Sequence, residues 1–285
     1  MKIKLKRNES FYIREGWFEK AINCIADNEG VNIFYKNDGI SYLGIGSNMV
    51  KSLKYWLKAA NIIEGKDNNL TDFGKLLHQY DRYLDSKFSW NMIHLFIASN
   101  KKECPITYTL FNYGNSTMEK AAMKDLLMKN FLQIDKTVNE KFVEADLNVF
   151  LNSYVQDTVI DNPEDNYSCP LSSLKLLKKK KNKYSFTAPA YHTLSYEPVY
   201  YLLYQVTDGK PFDIEESMKQ VNSPYAIFNL DQYAYMAYLD DMRRQGLITI
   251  NKTAGLNAVY FDEQYKDADE LLKKVFEVHF NDGLR

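Results

Sequence analysis

Residues 43–65, LGIGSNMVKSLKYWLKAANIIEG, limit the fold more than any other part of the chain. Val50, Leu53, Trp56, Leu57 and Ala60 recur at helical spacing, so one face of a helix must be buried there. Ser47 is placed to accept from the N–H groups that a first helical turn leaves unpaired, which predicts the helix start. Beyond Ala60 the pattern changes. Ile62 and Ile63, the polar run EGKDNN and then LTDFGKLL read as a short hairpin leading into another helix, capped by Thr71. Upstream, a helix over 16–28 turns Trp17, Phe18, Ala21, Ile22 and Ile25 inward, and a short helix is expected near 31–36. Three helices and a wing is the winged-helix order.

The other face of the 47–60 helix carries Asn48, Lys51, Lys54, Tyr55 and Lys58, a stripe of donors and positive charge without an acid. Such a face suits a phosphate backbone. A solvated amphipathic helix would look the same in sequence. Gly44, Gly46, Lys51 and Ser52 echo a phosphate-binding loop, but that motif needs glycine before the lysine, and Val50 stands there. Gly44 and Gly46 are instead read as the tight turn ahead of the helix.

Only 12 glycines and 7 prolines punctuate 285 residues, and the apolar spacing is mostly helical, so the expected fold is mainly α. Further helices are expected over 89–99, 105–112, 116–132 and 137–156. Ser116 with Glu119 and Thr137 with Glu140 read as capping boxes. A polar break, DNPEDNYS, follows, then PLSSLKLL, the run KKKKNK and a strand, KYSFTA. A short basic run in a loop is most often a solvated turn, and Lys178 to Lys181 are read so, with phosphate contact as the alternative.

The last third repeats the plan. Helices over 197–207 and 213–221 precede FNLDQYAYMAYLDDMRRQGLITINKTAGLNAVYF, in which Asn229 with Gln232 forms a variant capping box. Tyr233, Met236, Ala237 and Leu239 are expected inward, and Gly246 near the C-cap. ITI and NAVYF around KTAG read as a hairpin wing. Asp231, Asp240 and Asp241 beside Arg243 and Arg244 make this helix a poor phosphate reader and favour protein docking. The segment DADELLKKVFEVHF closes the chain as an amphipathic helix. The expected organisation is a winged-helix-like domain over 1–85, a helical middle over 86–160 and a second winged-helix-like domain over 161–285, with short β-hairpin wings.

Charge is unevenly placed. Residues 1–60 hold ten basic and six acidic side chains, whereas residues 190–285 hold nine basic and fifteen acidic. Nucleic acid, if bound, therefore meets the N-terminal part, and a protein partner the other. The 22 tyrosines suit an interface or equally a tyrosine-rich core. No run of about 18 apolar residues exists. The start MKIKLKRNESF lacks an apolar signal core, so neither membrane nor export is expected, and the expected location is cytoplasmic. Cys24, Cys104 and Cys169 are widely spaced without a CxxC pair, which predicts reduced cysteines and no zinc site. His78, His94, His192 and His279 show no metal-ligand spacing, and His94 reads as a core histidine. Asp81 and Asp85 are the nearest approach to paired carboxylates, but no catalytic constellation assembles around them. No enzyme, cofactor or metal is expected.

The combination of ESFYIREGWFEKA, LGIGSNMVKSLKYWLKAANII, LTDFGKLL, YDRYLD with WNMIHLFIASN, and PLSSLKLL resembles the bacterial family catalogued as domain of unknown function 4007, over nearly the whole chain. The resemblance implies no assigned catalytic activity and no site residues. It does imply a setting among sulfurtransferases, cysteine desulfurases and DNA phosphorothioation or phage-defence genes. The expected function is thus a non-enzymatic accessory protein contacting double-stranded DNA through Asn48, Lys51, Lys54, Tyr55 and Lys58. The alternatives are a scaffold docking a sulfurtransferase-like or other defence protein through the acidic C-terminal module, and an operon autoregulator, which requires a homodimer.

Overall fold

Apolar spacing decides most of the elements in the computed structural model, which describes residues 2–35, 38–155, 168–253 and 256–282. The chain divides into two compact units, Met1–Thr187 and Ala188–Arg285. The N-terminal module and the helical middle thus belong to one unit, and the division falls later than the expected boundary at 160. The reason lies in PLSSLKLL. Leu171, Leu174 and Leu176 are fully buried, and the 3-10 turn Pro170–Leu174 packs on two helices of the middle, α5 and α8 below. The break DNPEDNYS lies outside the described residues except for Ser168.

The first unit opens with α1, Trp17–Asp27, whose five predicted inward residues are all buried. Burying each large side chain of this set is worth about 1.5–3 kcal/mol. The second helix, α2, is Asp38–Leu43 and not 31–36. Residues 31–35 form a turn because Asn32 and Asn28 close local backbone bonds to Tyr35 and Val31. Helix α3 spans Ser47–Ala59 with Val50, Ser52, Leu53, Trp56, Leu57 and Ala59 buried. Its N-cap is Gly46, without a side-chain bond, so Ser47 begins the helix and does not cap it. Strands β1, Ile63–Glu64, and β2, Asn69–Leu70, pair antiparallel as the expected hairpin. Thr71 then caps α4, Asp72–Tyr80, accepting from Gly74 N at 3.1 Å.

Helices α5, Lys87–Ser99, and α6, Pro105–Tyr113, are buried on most sides. His94 is 0% exposed and its Nδ1 meets Tyr154 Oη at 2.8 Å, a satisfied core histidine as expected. Strand β3, Thr117–Glu119, overturns the first capping box. Ser116 O accepts from Phe186 N at 2.9 Å, and sheet pairing takes the residues that a cap would have used. Helix α7 starts at Lys120 and runs to Ile134. The second box fails too, since Thr137 gives both its amide and its hydroxyl to Asp135, at 2.9 and 2.7 Å. Asn139 caps α8, Glu140–Tyr154, in its place. Strands β4, Leu177–Lys180, and β5, Lys183–Phe186, form a hairpin, so the lysine run is mostly strand and only Lys181 and Asn182 turn. The sheet order is β3-β5-β4.

The second unit carries α9, Tyr196–Thr207; β6, Phe212–Asp213; α10, Ile214–Lys219; and α11, Pro224–Ile227. Helix α12, Gln232–Arg244, buries Tyr235, Tyr238, Leu239 and Met242, while Tyr233 is 89% exposed. Of the four residues expected inward, Leu239 is buried, Met236 is half-buried, and Tyr233 and Ala237 face out. Asp231, not Asn229, caps the helix through Ala234 N at 2.8 Å, and Asn229 sits in a positive-φ turn. Gly246 follows the C-cap with φ 68°, where glycine costs least. Strands β7, Ile248–Thr253, and β8, Leu256–Phe261, make the predicted hairpin in a sheet ordered β6-β8-β7. Residues 254–255 of KTAG lie outside the described residues. Helix α13, Ala268–Asp282, packs its buried Leu271, Leu272, Val275 and Phe276 against α9. No described helix is long and apolar enough to cross a membrane.

Candidate nucleic-acid interface

The inner side of α3 is fixed by the chain's N-terminal segment. Phe11 O accepts from Trp56 Nε1 at 3.0 Å and from Ser52 Oγ at 3.4 Å. The same segment is held at Asp146 on α8, whose carboxylate accepts from Lys6 N at 2.8 Å and Asn8 Nδ2 at 3.1 Å. In front of α3, α2 comes so close that a Cβ on Gly39 would stand 2.6 Å from Val50 Cγ1. The helix is therefore presented as a rigid rod with one side free.

On that side lie Asn48 and Lys51, both exposed, and Lys54 and Lys58, both half-buried. Residues three and four apart on a helix are neighbours, so the three lysines form one row. Their contacts are not with carboxylates. Lys51 Nζ reaches Asn48 Oδ1 at 3.4 Å, Lys54 Nζ lies 5.7 Å from the centre of the Phe34 ring, and Lys58 Nζ donates to Gly65 O in the hairpin turn at 3.1 Å. Burial, and next the charge of Lys58, push the Lys54 ammonium below its ordinary pKa. An anion laid along the row would relieve that cost at Lys54.

Tyr55 is placed otherwise than expected. Its hydroxyl donates to Glu103 O at 2.7 Å and sits 3.3 Å from Cys104 Sγ, while Arg7 stacks over the ring with 5.8 Å to its centre. Arg7 and Lys4 both pair with Glu103. Burial first, then the neighbouring Cys104, drive the phenol pKa well up. Tyr55 thus ties α3 to the α5–α6 loop and has no hydroxyl to offer a base or sugar. Its place in the helix leaves it at the flank of the apolar face, where an amphipathic ring is drawn inward.

Two further lysines and two exposed tyrosines come to the surface near this end of the unit. Lys20 of α1 is exposed and reaches the turn at Gly44, whose φ is 63°; a Cβ there would stand 3.4 Å from Lys20 Nζ. Lys66 is exposed in the β1–β2 turn. Tyr35 and Tyr42, 56% and 39% exposed, belong to the segment leading into α3. Lys20 and Lys66 carry no periodic signal, because they come from separate elements. The exposed tyrosines had one: each lies outside the apolar spacing of its neighbours.

Asp81 and Asp85 do not form a carboxylate pair. Asp81 follows α4, and its two oxygens accept from Asp85 N and Ser86 N at 3.0 and 3.1 Å, a local turn clamp. Among the described residues no group of three or more His, Cys, Asp or Glu is arranged to hold a metal ion. Cys24, Cys104 and Cys169 are free thiols, and burial pushes the last two up to about 12.

The chain belongs to the family described as "Protein of unknown function (DUF4007)", whose model matches residues 5–276. No curated protein matches it. Among solved structures, a crystal structure of SspB and a magnesium ion-bound crystal structure of SspB each align with a TM-score of 0.84 at 19% identity, covering 98% of this chain and 88% of that one. The likeness is one of fold.

Proposed function

We propose that this DUF4007 member is a non-enzymatic DNA-contacting accessory protein whose α3 lies along the phosphate backbone of a duplex, within a bacterial DNA-modification or phage-defence system. The observation that carries the reading is the row Lys51, Lys54 and Lys58 on the open side of a rigidly held helix without an acid. The order α1, α2, α3 and the β1–β2 hairpin supports a winged-helix mode of approach, in which the hairpin with Lys66 adds to the contact. Asn48 supplies the polar contact at the leading end. The defence setting rests on the family resemblance alone.

Approximately four phosphate contacts from α3 and its hairpin contribute about −3 to −4 to the log–log salt slope. The test is duplex retention by the full chain across a salt series, with plain and phosphorothioated DNA. Lys51→Glu with Lys54→Glu should weaken binding at low salt about tenfold or more; unchanged retention overturns the reading. The magnesium of one SspB structure belongs to that protein, so a plasmid assay with magnesium is run beside it. Intact supercoils are the expected result, and nicked circles would replace the accessory role by phosphodiester hydrolysis.

A second reading is favoured by α12. Arg243 and Arg244 are paired to Asp240 at 2.7 and 2.5 Å, and Tyr233 at the first turn is almost fully exposed. That face suits a protein partner, and co-purification with another protein that survives nuclease treatment would support it.

A further inference from the structure

The β4–β5 hairpin holds a second concentration of charge. Lys178, Lys179, Lys180, Lys181 and Lys183 are all exposed. Register sorts them. Lys180 stands directly opposite Lys183, and Lys178 opposite Ser185, so these three lysines share the outer face. Ser185 Oγ lies 3.1 Å from Thr117 Oγ1 on the next strand, which continues the face as a polar strip. The inner face carries the buried Leu177, Phe186, Tyr184 and Met118, so the sheet is anchored and its register fixed.

Two features of this hairpin cost stability, and among the described residues only Glu119, across from Lys183 on β3, stands where it can offset the first. Like charges directly opposite on paired strands repel, and Lys180 with Lys183 is such a pair. Lys181 occupies the turn with φ 55°, a conformation in which glycine or asparagine is less strained. Glu119 is the register partner of Lys183 on β3, yet Lys178, Lys180, Lys181 and Lys183 make no ion pair among the described residues. Just before β4, the exposed Lys175 extends the field to Lys87 at the start of α5.

Edge strands do carry lysine as a guard against edge-to-edge pairing, and β4 is an edge. A guard needs one or two charges of either sign. It does not need an opposed like-charge pair and a lysine at positive φ.

We propose that the β4–β5 hairpin is a second phosphate-binding surface for duplex DNA, separate from α3, with Lys178, Lys180 and Lys183 on the contacting face and Lys181 at its tip. The choice of duplex DNA as occupant rests on the reading of α3, which the same polyanion would serve. The experiment measures affinity of the full chain for a short fluorescent duplex across a salt series, with light scattering alongside. K178E/K180E/K183E keeps the edge charged, so the protein should stay monodisperse. Binding at low salt should fall about tenfold or more and the salt slope should flatten by about 2 to 3. Unchanged affinity and slope overturn the proposal. Should the reversed variant not fold, K178Q/K180Q/K183Q is read instead: a weaker, flatter salt response supports the proposal, and aggregation with affinity kept assigns the lysines to edge protection and overturns it. If the hairpin variant binds normally while K51E/K54E does not, only the hairpin falls. Loss in the hairpin variant alone removes α3 and leaves the hairpin, and normal binding by both removes both.

Discussion

Helices α3 and α12 are each 13 residues long, each follows a short helix and a turn, and each runs into an antiparallel hairpin. They are also anchored alike. Trp56 Nε1 donates to Phe11 O at 3.0 Å, and Tyr238 Oη donates to Leu194 O at 2.8 Å; both acceptors lie in the segment just ahead of their unit's first long helix. The open faces differ completely. On α3 the lysines contact a carbonyl, an amide and a ring, whereas on α12 the arginines are consumed by Asp240 and Asp241. One scaffold thus offers free cations in one unit and an internally neutralised face in the other. What separates the two is which charges are left unpaired, not how the helix is held.

The largest effect should come from the anchors. Trp56 is 4% exposed, so Trp56→Ala should cost about 3–5 kcal/mol in chemical denaturation, through lost burial and an unmade bond to Phe11 O. Tyr238→Phe keeps the ring and should cost only about 1 kcal/mol, the worth of one hydroxyl bond. If Trp56→Phe proves as damaging as Trp56→Ala, the indole bond and not the packing holds α3. The parallel between the helices then becomes one of hydrogen bonding alone.

The next effect breaks or sharpens the electrostatic contrast. R243E/R244E changes the formal charge as much as K51E/K54E does, but removes arginines that Asp240 already occupies. Duplex affinity should therefore move by less than about twofold in the first and by about tenfold or more in the second. Equal losses in both would mean that net charge and not a site governs binding.

How far all this could be read in advance follows the same division between local and tertiary causes. The burial face of α1, the length of α3, the Thr71 cap and both hairpins follow from spacing and turn chemistry within a few residues. Some failures are local, as where Asp135 takes Thr137 and Asp231 takes the cap, but two involve partners distant in sequence. Ser116 to Glu119 carry a valid capping-box pattern, and only pairing with Phe186 and Ser185 makes them strand. Tyr55 has the right spacing for an outward residue, and only Glu103 and Cys104, about fifty residues on, show why it turns in. The lysine row was legible because it lies on one helix. Lys20 was not, because it comes from a separate element; Lys178 to Lys181 were visible as a run, but which of them share a face is set by strand register.

The smallest expected effect concerns two buried carboxylates whose environments oppose one another. Asp146 of the first unit is raised by burial, against the bonds from Lys6 N and Asn8. For Glu197 of the second unit, burial also pushes upward, but the neighbouring His279, 3.1 Å away, counters it and the net shift is down. The linkage signs are then opposite. A carboxylate with a lowered folded pKa stabilises above its unfolded pKa and loses that contribution as pH falls through the folded value. One with a raised folded pKa takes up its proton first in the folded state, so its contribution grows as pH falls through that raised value and is lost above it. Calorimetry from neutral pH into the carboxylate range should show Glu197→Gln flattening the acid-side loss of stability, and Asp146→Asn removing a gain. Both substitutions shifting the acid limb in the same direction would mean that the His279 contact does not govern Glu197, and this contrast between the units would disappear.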